Sequence, residues 1–242
     1  MRTVTNVIVV LSFFWLLVSF WNRNDIPGST DYVAAIANEP RQARTGRPSF
    51  KASWDDVDYL VEPEYDYDLV GMVVSYRHHD NNSRMHRLAD DHLNMLDVCV
   101  VWGNNAGSAQ LGEIDFWNGI FTCNVKTRNQ EAWDSFDMNQ LSNNHLLSDD
   151  EDIRRRVRKV KIGDQIRVQG VLAAYQSPGG RRGTSTTRTD TGDGACETIY
   201  VDRFEIVRPA TSPWRISMYA SLAILVAGLL RFFSRPFKSH LN

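Results

Sequence analysis

The residues best suited to chemistry fall in two clusters. The first holds His78, His79, Asp80, His86, Asp90, Asp91 and His92 within fifteen positions. Imidazoles and carboxylates are the ligands that Zn²⁺ or Cu²⁺ prefers, so His78, His79, His86 and His92 are candidate metal ligands. Their spacing argues against it. His86 and His92 are six apart, which does not set both on one helix face, and His145 lies far off in the chain. The second cluster is the stretch Gln176–Ala195, QSPGGRRGTSTTRTDTGDGA. Arg181, Arg182 and Arg188 stand there among Gly, Ser and Thr, with Thr184 and Ser185 between them. Guanidinium forks and backbone N–H groups in such a loop suit an anion or a partner protein. No G-K-[ST] follows the glycines, so it is not a phosphate loop.

Enzyme and cofactor signatures are absent. The chain has no G-x-S-x-G elbow, no Gly-rich dinucleotide fingerprint, no H-E-x-x-H and no C-x-x-C-H for haem. The expectation is a protein without a cofactor and without a catalytic motif. Catalytic groups can still converge from distant positions.

Three cysteines, Cys99, Cys123 and Cys196, exclude a dense disulfide scaffold. Cys99 and Cys123 sit in apolar runs, where cysteine behaves as a small hydrophobe. Their oxidation state stays open; three unpaired thiols are the first expectation, and one bridge involving Cys196 the second.

The elements that position these residues begin at the ends of the chain. Val4–Trp21 carries no charge and reaches the length of a membrane span. It ends in Phe-Trp-Asn-Arg rather than a small-residue cleavage site, as a retained anchor does. Ser212-Pro213 begins a second helix, apolar on all faces to Leu230. Arg231, Arg235 and Lys238 then place the C-terminus in the cytoplasm under the positive-inside rule. Two spans bring the N-terminus there as well, leaving the middle extracytoplasmic. In a Gram-negative envelope that means the inner membrane and a periplasmic domain.

Charge supports the division. The whole chain carries a net −2, but neither 1–23 nor 215–242 contains an acidic residue, so residues 24–214 hold 21 basic against 29 acidic groups. A middle that acidic repels phosphate backbones, and no nucleic-acid partner is expected.

Within the middle, 24–68 reads as a tether ending in an acidic-aromatic segment. There Trp54, Tyr59, Tyr65 and Tyr67 dock on the domain and the interleaved acids face water. Strands are predicted at Leu69–Tyr76, Leu96–Trp102, Phe116–Lys126, Gln165–Tyr175 and Glu197–Val207 from β-branched and aromatic runs bounded by turn residues. Helices are predicted at Ser83–Leu96, from Met85, Leu88, His92 and Met95, and at Ser148–Val160, where Ser148 and Glu151 have capping-box spacing. Trp102, Trp117 and Trp133 are expected in the core.

Five strands with a helix between the third and fourth resemble the OB-fold in element order over 69–208. The predicted fold class is mainly β (a β-rich α+β domain), a five-stranded OB-like barrel with an inserted helix, flanked by two transmembrane helices. The organisation is 1–23 anchor, 24–68 tether, 69–211 domain, 212–234 second span and 235–242 basic tail. The expected function is a membrane-anchored binding or assembly module acting beside a larger membrane or envelope protein. The alternative is a metal- or cofactor-handling domain or hydrolase using the cluster at 78–92.

Overall fold

A computed structural model describes residues 2–26, 32–79, 91–119, 121–187 and 195–234. Two units emerge, one from Met1–Asp25 with Thr211–Asn242, the other from Ile26–Ala210.

The first unit is a helix pair, α1 (Arg2–Trp21) and α5 (Pro213–Phe233). At 1.5 Å per residue each is about 30 Å long, the thickness of a bilayer's hydrocarbon core. Both are long and apolar enough to cross a membrane. Ser212 caps α5 by accepting from Arg215 N, with Pro213 in the first turn. The helices run antiparallel: Ser19 Oγ and Ser217 Oγ are 2.7 Å apart, Trp15 packs near Trp214, and Val9 fills the space over Gly228. A Cβ at Gly228 would overlap Val9, so glycine sets that close approach. The remaining apolar side chains, such as Phe14, Ile216 and Leu230, stay exposed.

The second unit is sheet-rich. Its strands are β1 (Arg41–Arg44), β2 (Phe50–Trp54), β3 (Val57–His78), β4 (Asn94–Val101), β5 (Asp115–Asn118), β6 (Cys123–Lys126), β7 (Leu141–Leu147), β8 (Gln165–Ser177), β9 (Gly180–Arg182) and β10 (Glu197–Arg208). Short helices α2 (Gly103–Gly107), α3 (Gln130–Asp134) and α4 (Glu151–Val157) lie between them. Eight strands form one large mixed sheet, in place of the minimal five-stranded barrel expected, and β5 and β6 make a separate hairpin. Along the sheet β3 pairs β4, β4 pairs β7, β7 runs parallel to β10, and β10 pairs β8, which also pairs β3.

Several expectations change. The tether at 24–68 holds β1, β2 and the first half of β3. Odd-numbered Tyr59, Val61, Tyr67 and Leu69 are buried while Asp58, Glu64 and Asp66 face water, as a half-buried strand requires. Pro63 sits at a register shift against β8, where a missing N–H is tolerated. The third predicted strand is two, β5 and β6, joined by a tight turn. Of the helix predicted at Ser83–Leu96, Asn94–Leu96 belong to β4, because every β4 residue is buried between neighbours on both faces. Residues 83–90 of that prediction lie outside the described residues. Helix α4 is capped by Asp150, which accepts from Asp152 N and Ile153 N, not by Ser148. Trp102 is core, yet Trp117 and Trp133 are 46% and 47% exposed.

Gly170 shows how tightly β8 and β10 meet. A Cβ there would collide with the Tyr200 carbonyl, so glycine is the residue that keeps this ladder closed. Around it Val168, Leu172, Ile199, Val201 and Phe204 form part of the core.

Candidate functional site

Register builds the site. In the antiparallel β4–β7 ladder Asp97 stands opposite His145, and Cys99 opposite Asn143. Directly opposed residues project to the same face, about 5 Å apart at Cβ. The parallel β7–β10 ladder sets Glu197 against Asn144, so Cys196, one residue earlier, arrives beside Asn143 and His145. His79 comes in from the end of β3, its N–H bonded to the Met95 carbonyl.

The side chains converge. His145 Nδ1 lies 2.5 Å from Asp97 Oδ1, and His79 Nε2 lies 2.8 Å from Asp97 Oδ2. Asn94 Nδ2 donates to Asp97 Oδ1 at 3.0 Å. The Cys196 thiol neighbours the same imidazole, close enough to help raise it after Asp97. Cys196 Sγ receives a hydrogen bond from Asn143 Nδ2 and gives one to the Phe121 carbonyl, both at 3.3 Å. Asn143 Nδ2 also donates to that carbonyl at 3.0 Å. Phe121 holds a positive φ of 59° in the β5–β6 turn, a strained position for an aromatic residue. Its ring packs edge-on against His145.

Electrostatics follow from burial. Desolvation pushes the Asp97 carboxyl up, but the hydrogen bonds and charges of His145 and His79 outweigh it and hold Asp97 well below the usual carboxylate range. Desolvation likewise opposes charge on His145. Hydrogen bonds to Asp97 and Cys196 overcome it and raise the imidazole to about 10. A Cys–His–Asp row has an orienting carboxylate, a proton-holding imidazole and a thiol that is half-buried.

A second buried carboxylate adjoins it. Asp91 accepts the Tyr175 hydroxyl at 2.9 Å through both oxygens, and Arg182 Nε lies 3.0 Å from Asp91 Oδ2. Burial, and then the Asp91 charge, push Tyr175 well above its ordinary value. The Arg182 guanidinium lies 4.3 Å from the centre of the Phe121 ring, on the way to His145.

The predicted site residues therefore scatter. Arg181 is exposed and pairs with Glu62. Thr184 Oγ1 accepts from Thr198 N and Ser185 N donates to the Cys196 carbonyl at 2.9 Å, so this stretch holds the start of β10 and the thiol in place. Arg188 lies outside the described residues, as do Asp80, His86 and Asp90. His78 packs edge-on against Tyr76, and His92 Nδ1 sits 3.7 Å from Asp55 Oδ2. Of the candidate metal ligands among the described residues, His79 alone joins the cluster. Among the described residues no three His, Cys, Asp or Glu side chains are grouped to hold a metal ion.

Cys99 and Cys123 are joined by a disulfide, their Cα atoms 5.8 Å apart, and Cys196 is the free thiol. This corrects both expectations from the sequence. The two apolar runs that held Cys99 and Cys123 pack against each other in the fold. Asp97, Asn143, His145 and Cys196 are not singled out by spacing. The one available signal was an odd cysteine accompanied by distant His and Asp residues.

No family model matches this chain, and neither does any curated protein or solved structure.

Proposed function

We propose that this chain is a membrane-anchored domain performing nucleophilic thiol chemistry at Cys196. The observation that carries this reading is His145, 2.5 Å from Asp97, with the Cys196 sulfur held beside it by Asn143 Nδ2 and the Phe121 carbonyl. Asp97 orients the imidazole, His145 holds the thiol's proton, and Asn143 Nδ2 is a donor beside the sulfur where negative charge would develop. The reaction class is attack by sulfur on an electrophilic carbonyl or on another sulfur. It develops the hydrolase alternative, with His79 the one residue kept from the cluster at 78–92. The test is the rate of Cys196 alkylation by iodoacetamide against pH. A thiol paired with an imidazolium stays reactive below the ordinary cysteine pKa of about 8.5. His145→Gln is expected to slow alkylation at pH 7 about 100-fold. Equal rates in both proteins would end this reading.

The anchor is part of the proposal. Helices α1 and α5 span the bilayer with both termini cytoplasmic and the domain extracytoplasmic. Their antiparallel pairing, the exposed apolar side chains and the basic residues after Leu230 support this. Cysteine-free variants carrying single engineered thiols near either terminus or in the domain test it by labelling with a membrane-impermeant reagent. The OB-like reading is supported by β3, β4, β7, α4, β8 and β10 in that order, with β7 parallel to β10. A binding or assembly role beside a membrane protein is the second reading. It draws on the half-exposed indoles of Trp117 and Trp133, since exposed tryptophans are over-represented at interaction surfaces.

A further inference from the structure

Cys196 is not alone among the cysteines. Asn143, which donates to its sulfur, stands opposite Cys99 in the β4–β7 ladder. Phe121, whose carbonyl accepts from its thiol, lies two residues before Cys123. His145, opposite Asp97, is the diagonal neighbour of Cys99, a relation that sets Cβ atoms about 7–8 Å apart. Cys99 therefore stands across the ladder from one residue that touches Cys196, and Cys123 two positions along the chain from another. They differ in access, for Cys99 is fully buried and Cys123 half-buried.

We propose that Cys196 exchanges with the Cys99–Cys123 disulfide, so that the three cysteines form one thiol–disulfide exchange centre whose substrates are disulfides and thiols. The proposal rests on the nucleophilic-thiol reading and names its substrate class. In the step, Cys196 reacts as the thiolate beside protonated His145, and its sulfur forms a bond to the more accessible Cys123 sulfur. The Cys99–Cys123 bond breaks, its electron pair leaves on Cys99, and the proton held by His145 neutralises that thiolate. One disulfide and one thiol stand on each side, and neither oxidant nor reductant enters. Exchange of this kind needs a thiolate, a reachable sulfur and a leaving thiolate that can be protonated. Asp97 keeps His145 in the orientation that serves both sulfurs.

The experiment uses the full-length protein in mild detergent at pH 8, quenched with acid at intervals and blocked with N-ethylmaleimide. Digestion at Glu113, which lies between Cys99 and Cys123, lets mass spectrometry distinguish the three possible links. Peptides joining Cys196 to Cys123 are expected to accumulate to about a tenth of the total, and His145→Gln to slow their appearance at least about tenfold. If Cys99–Cys123 stays the sole link while Cys196 alkylates rapidly in a His145-dependent way, exchange is overturned and the nucleophilic thiol stands. If alkylation is slow and indifferent to His145, both readings fall.

Discussion

His145 and Asp97 face each other across the β4–β7 ladder with Nδ1 and Oδ1 2.5 Å apart, the carboxylate buried to 1% exposure. His79 reaches the second oxygen of the same carboxylate. A carboxylate this buried is stable only because the His145 imidazole and the Asn94 amide bond one oxygen while His79 stands 2.8 Å from the other. The Asp97 contact fixes the tilt of His145 in the ladder beside Cys196.

Removing that carboxylate is expected to cost stability as well as reactivity. Asp97→Asn leaves two buried imidazoles without their counter-charge, a loss of about 3 kcal/mol. Urea unfolding followed by tryptophan fluorescence checks the stability, and iodoacetamide the thiol. A variant as stable and as reactive as wild type would remove Asp97 from the site.

The pH dependence has a definite sign. His145 is raised from 6.5 to about 10 in the folded protein, so its stabilising contribution is complete below pH 6.5 and is lost as pH rises through 10. Asp97 is depressed, so its contribution is present above its ordinary value of 3.8 and is lost only in strong acid. The melting temperature of the wild type should therefore fall between pH 6.5 and 10 more steeply than that of His145→Gln. Parallel curves would contradict the pairing.

The two neighbouring arginines should behave differently. Arg182 is the salt-bridge partner of buried Asp91, and Arg182→Ala is expected to destabilise the domain by about 2 kcal/mol. Arg181 pairs with Glu62 in solvent, and Arg181→Ala should cost less than about 0.5 kcal/mol. Equal effects on chemical denaturation would mean that Asp91 finds another partner.

Gly170→Ala is expected to destabilise by about 2 kcal/mol or more, because the new Cβ meets the Tyr200 carbonyl and forces β8 from β10. Gly46→Ala, where a Cβ meets open space, is the control. Thermal denaturation of both distinguishes steric conflict from a general loss of glycine.

Local pattern carried much of the fold. The apolar helices at both ends, the strands at Gln165–Ser177 and Glu197–Arg208 and the short helix after Ser148 were legible because side-chain period and turn residues act over a few positions. Strand β7 was not, since LSNNHLL carries four polar residues in a row, which lower strand propensity. The structure gives them polar partners, as where Asn144 Nδ2 donates to Ser142 Oγ at 2.8 Å and Asn143 Nδ2 to the Phe121 carbonyl at 3.0 Å. The first half of β3 was hidden by its acids and by Pro63, although its period-two alternation was there to be read.

The candidate site was another matter. Sequence alone determined that the chain has two apolar termini, an acidic β-rich middle, three cysteines and no catalytic motif. Only tertiary structure decided that Asp97, His145 and Cys196 meet, that Cys99 and Cys123 are the pair joined, and that Arg182 belongs to Asp91. The reason is physical. These contacts are set by strand register across separations of tens of residues, and a slip of one residue in either ladder would turn every one of these side chains to the opposite face.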